Sequence, residues 1–199
     1  MGDNLGQKVV YSDVGMIFLG EIIEYFYQKP VQEVITKEVL EPLAMFDSTF
    51  KPDKKRCVPT EVIEKTVIKG RVHDPKAFIL KENCGSAGLF STLNDLVKFS
   101  TWLLFDVAKK GDVLQAKTIE NLFKDHTSNS QKRSLGWDLR YNKEKQACLY
   151  HTGFTGTFMV LDKHQQKGLI VLTNRIHPTS DNQIFLDKRE KIVNTFLYE

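Results

Sequence analysis

Between residues 135 and 173 the chain alternates short apolar runs with charged turns, and that alternation constrains the fold more than any other feature. Runs at 135–141, 147–150, 157–161 and 168–173 have strand length, with charged turns at 142–146 and 162–167. Strands joined by such short turns pair antiparallel, so a meander is expected. Upstream the period changes. Tyr11-Ser12-Asp13 leads into Val14, Met16, Ile17, Phe18, Leu19, Ile22, Ile23, Tyr25 and Phe26, broken only by Glu21 and Glu24. Apolar residues nearly all round the wheel predict a buried helix, capped by Ser12 or Asp13. Pro30 opens a second helix through Leu40, which Glu41-Pro42 stops. Residues 42–84 are expected to be mostly irregular, with extended pieces near 48–50 and 78–80. A small-residue loop at 85–92 follows, and Thr92 with Asp95 resembles a capping box for a helix to about Phe105. A short helix is expected at 117–124. Ser180 with Gln183 caps a last amphipathic helix, apolar at Phe185, Leu186, Ile192, Val193, Phe196 and Leu197. Helices, then strands, then one helix is α+β order, with the last helix over one face of the sheet. No linker interrupts the chain, so one domain over 1–199 is expected.

Composition narrows the function. With 41% hydrophobic and 27% charged residues over 199 positions the chain is globular. A net charge of +3 with both signs interspersed argues against a nucleic-acid partner. No apolar run reaches the ~18 residues of a membrane span. Met1–Gly6 shows no signal peptide, and Gly6 stands where a myristoylation motif needs Ser or Thr. The compartment therefore stays open, cytoplasmic by default. Cys57, Cys84 and Cys148 lack metal or disulfide spacing and are expected as core hydrophobes or idle thiols. His126, His164 and His177 have no ligand spacing, so neither a metal nor a cofactor is expected.

Residues 150–162 carry the chemistry. They are expected to form a strand that begins in a Gly/Thr-rich lip and ends in an apolar run. His151 can donate a proton or hold an anion, the Thr152 hydroxyl can bond a carboxylate, and Gly153 lets a ligand backbone lie close. His151-Thr152-Gly153 resembles the Lys-Thr-Gly edge-strand signature of the penicillin-recognising serine hydrolases, with His for Lys. Three further segments agree in order. Tyr11-Ser12-Asp13-Val14-Gly15, running into Leu19-Gly20-Glu21-Ile22-Ile23-Glu24, resembles the Tyr-x-Asn motif and its helix. Glu41-Pro42-Leu43-Ala44-Met45 with Ser48-Thr49-Phe50 is similar to a Pro-Leu-Gly-Met turn. Gly88-Leu89-Phe90-Ser91-Thr92-Leu93-Asn94-Asp95-Leu96 is close to a Gly-Leu-x-Ser-Thr-x-x-Asp-Leu stretch. Together these resemble the class C β-lactamase-like serine hydrolases, a family that includes penicillin-binding carboxypeptidases and lactamase-fold esterases.

The resemblance implies an α+β, β-lactamase/transpeptidase-like fold with an antiparallel sheet and flanking helices. Its first signature, Ser-x-x-Lys, precedes the Tyr motif by many residues, whereas ten residues precede Tyr11 here. The nucleophile helix and the N-terminal strands are thus expected to be missing, leaving roughly the C-terminal two thirds of an incomplete domain. The implied catalytic residues are Tyr11 as general base, Asp13 in place of the motif's Asn, and His151. Thr152 and Gly153 would bind substrate, and the Phe154 N–H would be one oxyanion donor. A phenol of pKa about 10 needs nearby cations to act as a base. One such lysine is absent, His151 is charged only part of the time near neutral pH, and Asp13 alone disfavours the phenolate. Implied substrates are amides or esters such as β-lactams, D-Ala peptides or small acyl esters, and His for Lys tilts the choice toward esterase or peptidase. No turnover is expected of the chain by itself. The alternative is a non-catalytic binding module, or a remnant, that needs a separate N-terminal chain. An uncovered sheet edge would be met by such a complementing chain or by a second copy.

Other segments imitate site motifs. Ser48-Thr49-Phe50-Lys51 spells Ser-x-x-Lys, but it precedes Pro52 in an extended stretch where the lysine cannot sit one helical turn from the serine. Ser180-Asp181-Asn182 follows the His-Thr-Gly strand and suits a helix cap. Ser86 has Cys84 where a nucleophile elbow needs Gly. His73-Asp74 suits either a base with its orienter or a structural hydrogen bond. Tyr11 and His151 themselves have bland readings, a helix-start aromatic and a strand-end histidine.

Overall fold

A computed structural model describes residues 7–105 and 113–199, and the chain divides into two compact units. One unit is Ser12–Phe99 with Asn174–Asp181; the other is Met1–Tyr11, Ser100–Thr173 and Asn182–Glu199.

The first unit begins with α1 (Asp13–Tyr27). Ser12 is its cap, accepting a hydrogen bond from Gly15 N–H at 3.2 Å, and Gln28 ends it in the left-handed region at φ 53°. Pro30 leads into α2 (Val31–Ile35), whose first N–H donates to Glu24 Oε1 at 2.8 Å. The helix then widens over Thr36–Leu40, where Glu41 N–H reaches back to Thr36 O at 2.9 Å. Two elements were not expected in residues 42–84. One is the antiparallel hairpin of β1 (Pro59–Ile63) and β2 (Thr66–Lys69). The other is α3 (Pro75–Leu80), capped by Asp74 with Pro75 in its first turn, where the sequence suggested an extended piece. An isolated antiparallel bridge joins Thr49 to Phe90, so the extended reading holds at 48–50. After the small-residue loop, α4 (Leu93–Leu104) begins as expected, with Asp95 N–H donating to Thr92 Oγ1 at 3.3 Å.

The expectation that α1 is buried is wrong for these residues. Only Gly20 is buried, while Phe18, Leu19, Ile22, Tyr25 and Phe26 remain 52–75% exposed. A helix apolar on every side needs cover on every side. The described residues give a close contact at Gly20: a Cβ there would stand 3.2 Å from the Gly85 Cα, and one on Gly85 would stand 2.6 Å from the Met16 carbonyl oxygen. Two glycines thus let helix and loop backbones touch, which no side chain would permit.

The second unit holds α5 (Ala116–Leu122) and a sheet of β3 (Asp138–Tyr141), β4 (Ala147–Thr152), β5 (Phe158–Asp162) and β6 (Lys167–Val171). The order is β3-β4-β5-β6 and all pairs are antiparallel, the expected meander. The closing helix α6 (Gln183–Tyr198) is capped by Asn182, which accepts from Phe185 N–H at 3.1 Å, rather than by Ser180. Strand alternation sorts the core. Cys148, Tyr150, Phe158 and Val160 form one buried cluster with Val193 and Leu197 of α6. Leu149 and Leu161, at 0% exposure, point to the opposite face. There a Cβ on Gly168 would meet Leu161 at 3.1 Å and Leu104 at 3.7 Å. The turns flanking β4 and β5 are tied by a buried contact, Asn142 Nδ2 donating to Asp162 Oδ2 at 2.8 Å. Burial, and then the Asp162 charge, push the Cys148 thiol up to about 12, so it is an inert core residue. Among the described residues no helix is long and apolar enough to cross a membrane.

Candidate functional site

The edge of β4 carries the residues that the sequence singled out as substrate-facing. β3 pairs with β4 from Tyr141↔Ala147 to Asp138↔Tyr150, and the ladder stops there. β4 continues, pairing His151 with Met159 and Thr152 with Phe158 on its β5 side. His151-Thr152-Gly153 therefore closes β4, where the sequence suggested the head of the following strand. The cause is a turn: Gly153 N–H donates to Thr157 O at 2.7 Å, Gly156 N–H donates to Gly153 O at 3.0 Å, and Gly156 has φ 109°. Thr173 Oγ1 fixes this lip by donating to Gly156 O at 2.7 Å. His151 and Thr152 thus run past the neighbouring strand, and an extended ligand can add beside them.

Three side chains dress that edge. The Trp137 and His151 rings meet edge to face, with centroids 5.9 Å apart. Asp138, at the head of β3, pairs with Arg133 at 2.8 Å. Phe154 stands on the lip, 60% exposed. His151 is an exposed residue with a crowded ring. Desolvation of the ring lowers its pKa from the ordinary imidazole value, Asp138 opposes the shift and Arg133 adds to it. His151 is therefore mainly neutral at pH 7, a hydrogen-bonding group and not a fixed cation. Sequence reading gave neither Trp137 nor Arg133 a role; a lone Trp within an expected strand carries no pattern that would mark it.

Tyr11 belongs to the same unit as His151 and is 60% exposed. Asp13 belongs to the other unit, as the first residue of α1, and it is not alone there. Lys76 Nζ lies 3.1 Å from Asp13 Oδ2 and 3.0 Å from Asp74 Oδ2. Hydrogen bonds to Asp74 and to Asp13 raise the Lys76 pKa, so the ammonium stays charged. Burial pushes the Asp74 carboxyl up, but the Ala77 N–H and Lys76 outweigh it and hold it below the usual range.

The imitating motifs have structural work. Ser48 is 6% exposed, and its Oγ donates to Asp95 Oδ2 at 2.9 Å and lies 2.7 Å from Ser91 Oγ. Asp47 N–H and Lys98 Nζ reach the same fully buried carboxylate, each at 2.8 Å. Burial pushes Asp95 up, yet Lys98, Ser48 and Asp47 together hold it below the ordinary carboxyl range. Ser48 is thus bound into an Asp95-centred knot, and Lys51 takes no part in it. The Ser180 carbonyl accepts from Arg175 Nη1 at 3.0 Å, and Ser86 Oγ lies 3.3 Å from Cys84 Sγ. His73 Nε2 stands 3.0 Å from Glu61 Oε2, and the Asp74 side chain caps α3.

The sequence model of the β-lactamase family matches residues 3–190, and the chain belongs to that family. An N-acetylmuramyl-L-alanine amidase of Bacillus subtilis (strain 168) is 27% identical over 200 residues, covering 86% of this chain and 45% of its own length. An Escherichia coli (strain K12) protein, provisionally named D-alanyl-D-alanine carboxypeptidase, is 27% identical over 209 residues, covering 89% of this chain and 48% of its own. The chain thus spans about half the length of these curated relatives. Among solved structures, a Mycobacterium bovis β-lactamase superposes with a TM-score of 0.66 at 18% identity, over 96% of this chain and 64% of that one. The octameric penicillin-binding protein homologue of Pyrococcus abyssi gives 0.63 at 18% identity, over 94% and 43%. These likenesses establish the β-lactamase/transpeptidase-like fold, with antiparallel sheets and flanking helices.

Proposed function

We propose that this chain supplies the substrate edge and the proton-transfer tyrosine of an acyl-transferring serine hydrolase. The observation that carries the reading is the β4 edge, where His151 and Thr152 run past β3 beside Trp137. A substrate lying there as an added strand places its carboxylate or carbonyl near His151 and Thr152, and its scissile carbonyl toward Phe154 N–H. A serine hydroxyl from a Ser-x-x-Lys segment attacks that carbonyl carbon and Tyr11 takes its proton. The C–N or C–O bond breaks, and the leaving amine or alkoxide receives the proton back from Tyr11. Water then repeats the exchange and frees the acid. Ser48 is not that nucleophile, because Asp95 holds its hydroxyl inside the fold. Without another serine delivered to the site, the chain binds substrate and does not turn it over. The single incomplete domain and the complementing N-terminal segment belong to this same proposal. The amidase and carboxypeptidase names of the relatives favour amides over small esters, and the carboxypeptidase name favours a peptide ending in D-Ala.

Intact mass after incubation with a fluorescent penicillin and, separately, a fluorophosphonate tests this, with Ser48→Ala as control. The expected result is no adduct with the chain alone and a stoichiometric adduct once a Ser-x-x-Lys segment is added back. An adduct lost in Ser48→Ala would make Ser48 the nucleophile. An adduct that survives that change would move the chemistry to another serine and end this mechanism.

A further inference from the structure

The β1–β2 hairpin and the turn before it carry a charge that the whole-chain composition conceals. Residues 51–71 hold seven lysines and arginines against three carboxylates, an excess of four in 21 residues, while the entire chain has a net charge of +3. The backbone gathers these residues. A Cβ on Gly70 would stand 2.7 Å from Lys54 Cγ and 3.0 Å from Lys54 Cα, so the end of β2 lies against the Lys54–Arg56 turn. Gly70, at φ 63°, permits that approach. The carboxylates of this region are engaged. Asp47 pairs with Arg56 at 2.7 Å, Glu61 with His73 at 3.0 Å, and Asp53 Oδ1 accepts from Lys55 N–H at 2.9 Å. Among the described residues, no carboxylate forms an ion pair with Lys51, Lys54, Lys55 or Lys69.

The hairpin adds an apolar part. Val62 and Val67 are cross-strand partners and project from one face, and Lys69, two residues beyond Val67, shares it. The valines are 39% and 52% exposed, and Val58, ahead of β1, is 68% exposed. β1 is rooted in residues 174–178: Val62 N–H donates to Pro178 O at 3.1 Å, and His177 Nδ1 lies 3.0 Å from Thr60 O. We propose that this face docks on an anionic lipid membrane, with Val62 and Val67 entering the headgroup region and the cations meeting lipid phosphates and carboxylates. The exposed valines favour a lipid surface over a soluble polyanion, which offers them nothing apolar to enter. The face belongs to the unit without His151, and it stands or falls separately from the acyl-transfer reading.

Sedimentation of the full chain with sucrose-loaded vesicles tests this. Vesicles of about one third phosphatidylserine in phosphatidylcholine should carry the protein down at about 0.1 M salt, and about 0.5 M salt should release it by screening. Phosphatidylcholine alone should not bind. Lys54→Gln with Lys55→Gln should weaken binding by roughly 20- to 30-fold, about five-fold per cation. Lys188→Gln with Lys191→Gln, an equal loss of charge on α6, should leave it nearly unchanged. Val62→Ser with Val67→Ser should weaken it about ten-fold at constant charge. Melting curves show whether each variant is folded; if the double serine variant is not, Val58→Ser, outside the hairpin, takes its place. Absence of vesicle binding, equal binding to phosphatidylcholine, equal losses from the two lysine pairs, or no loss from the folded serine variant would each overturn the proposal. Retention on heparin or polyphosphate without vesicle binding would overturn it too, by giving the face to a soluble polyanion.

Discussion

The helices α1 and α6 show that cover, not composition, decides burial. α6 is the more polar, with Asp187, Lys188, Arg189, Glu190 and Lys191 in its middle, yet Val193 and Leu197 are 0% and 2% exposed against the sheet. α1 carries the denser apolar sequence and buries only Gly20. Side chains of α6 meet a preformed apolar face at the right spacing, while those of α1 meet a close backbone contact on one side. Placing a charge in each helix should sharpen that contrast most. Val193→Asp leaves a buried carboxylate without a partner and is expected to cost more than about 4 kcal/mol, enough to abolish the folding transition. Phe26→Asp, at 75% exposure, should leave the melting temperature nearly unchanged and lower binding of a hydrophobic dye. A large loss of stability from Phe26→Asp would mean that this face of α1 is covered in solution, and sedimentation would then show whether a second copy covers it.

The two units also differ in how they house a buried carboxylate. Asp95 has a cation, Lys98, and Asp162 has a neutral amide, Asn142. Asp95→Ala strips partners from Ser48, Asp47 N–H and Lys98 at once and is expected to cost about 2–4 kcal/mol in urea unfolding. Asn142→Ala leaves Asp162 with the His164 and Gln165 N–H groups, at 3.0 and 2.9 Å, and should cost less, about 1–2 kcal/mol. The reverse order would show that the ion pair, not the hydrogen-bond count, is the dispensable part. The Asp95 pKa is depressed in the folded protein. Its contribution is therefore present above the unfolded value near 3.8 and lost as pH falls through the lower folded value.

Much of this was legible in the sequence for physical reasons. Side chains of period two separated by charged turns are hard to place other than as a meander, and the four strands fall within a few residues of their expected bounds. The β1–β2 hairpin was hidden because Glu64 and Lys65 take its turn at φ 48° and 66°, without the Gly or Asn that normally announces it. α3 was visible in principle, since Asp74-Pro75 is a cap followed by a first-turn proline, but six residues give too short a period to compete with the extended reading. For the candidate site, His151, Thr152 and Gly153 were singled out by pattern, and the structure sets them together at the end of β4. Trp137 was not singled out, because its contact with the His151 ring comes from a neighbouring chain segment and leaves no local mark. Asp95 was read as half of a capping box. Its neighbour Thr92 does cap α4, but the carboxylate turns to residues 47 and 48.

The smallest effect belongs to His151, and it separates a folding role from a binding role. Its pKa is depressed in the folded protein, so the native state favours the neutral ring. The associated stability is present above the unfolded value of about 6.5 and is lost as pH falls through the lower folded one. Exposure to solvent keeps this small, a slight drop in melting temperature on acidification that His151→Gln should lack. Affinity for an anionic ligand at the β4 edge should move the other way, because protonation turns the ring into a cation. Acid then weakens the fold slightly while strengthening anion binding. His151→Lys, charged throughout this range, should flatten the pH dependence of binding and raise affinity for a carboxylate at neutral pH. If binding by the wild-type chain does not change between about pH 5 and 8, His151 is a strand-end histidine, and anion recognition at this edge must come from Thr152 and the backbone.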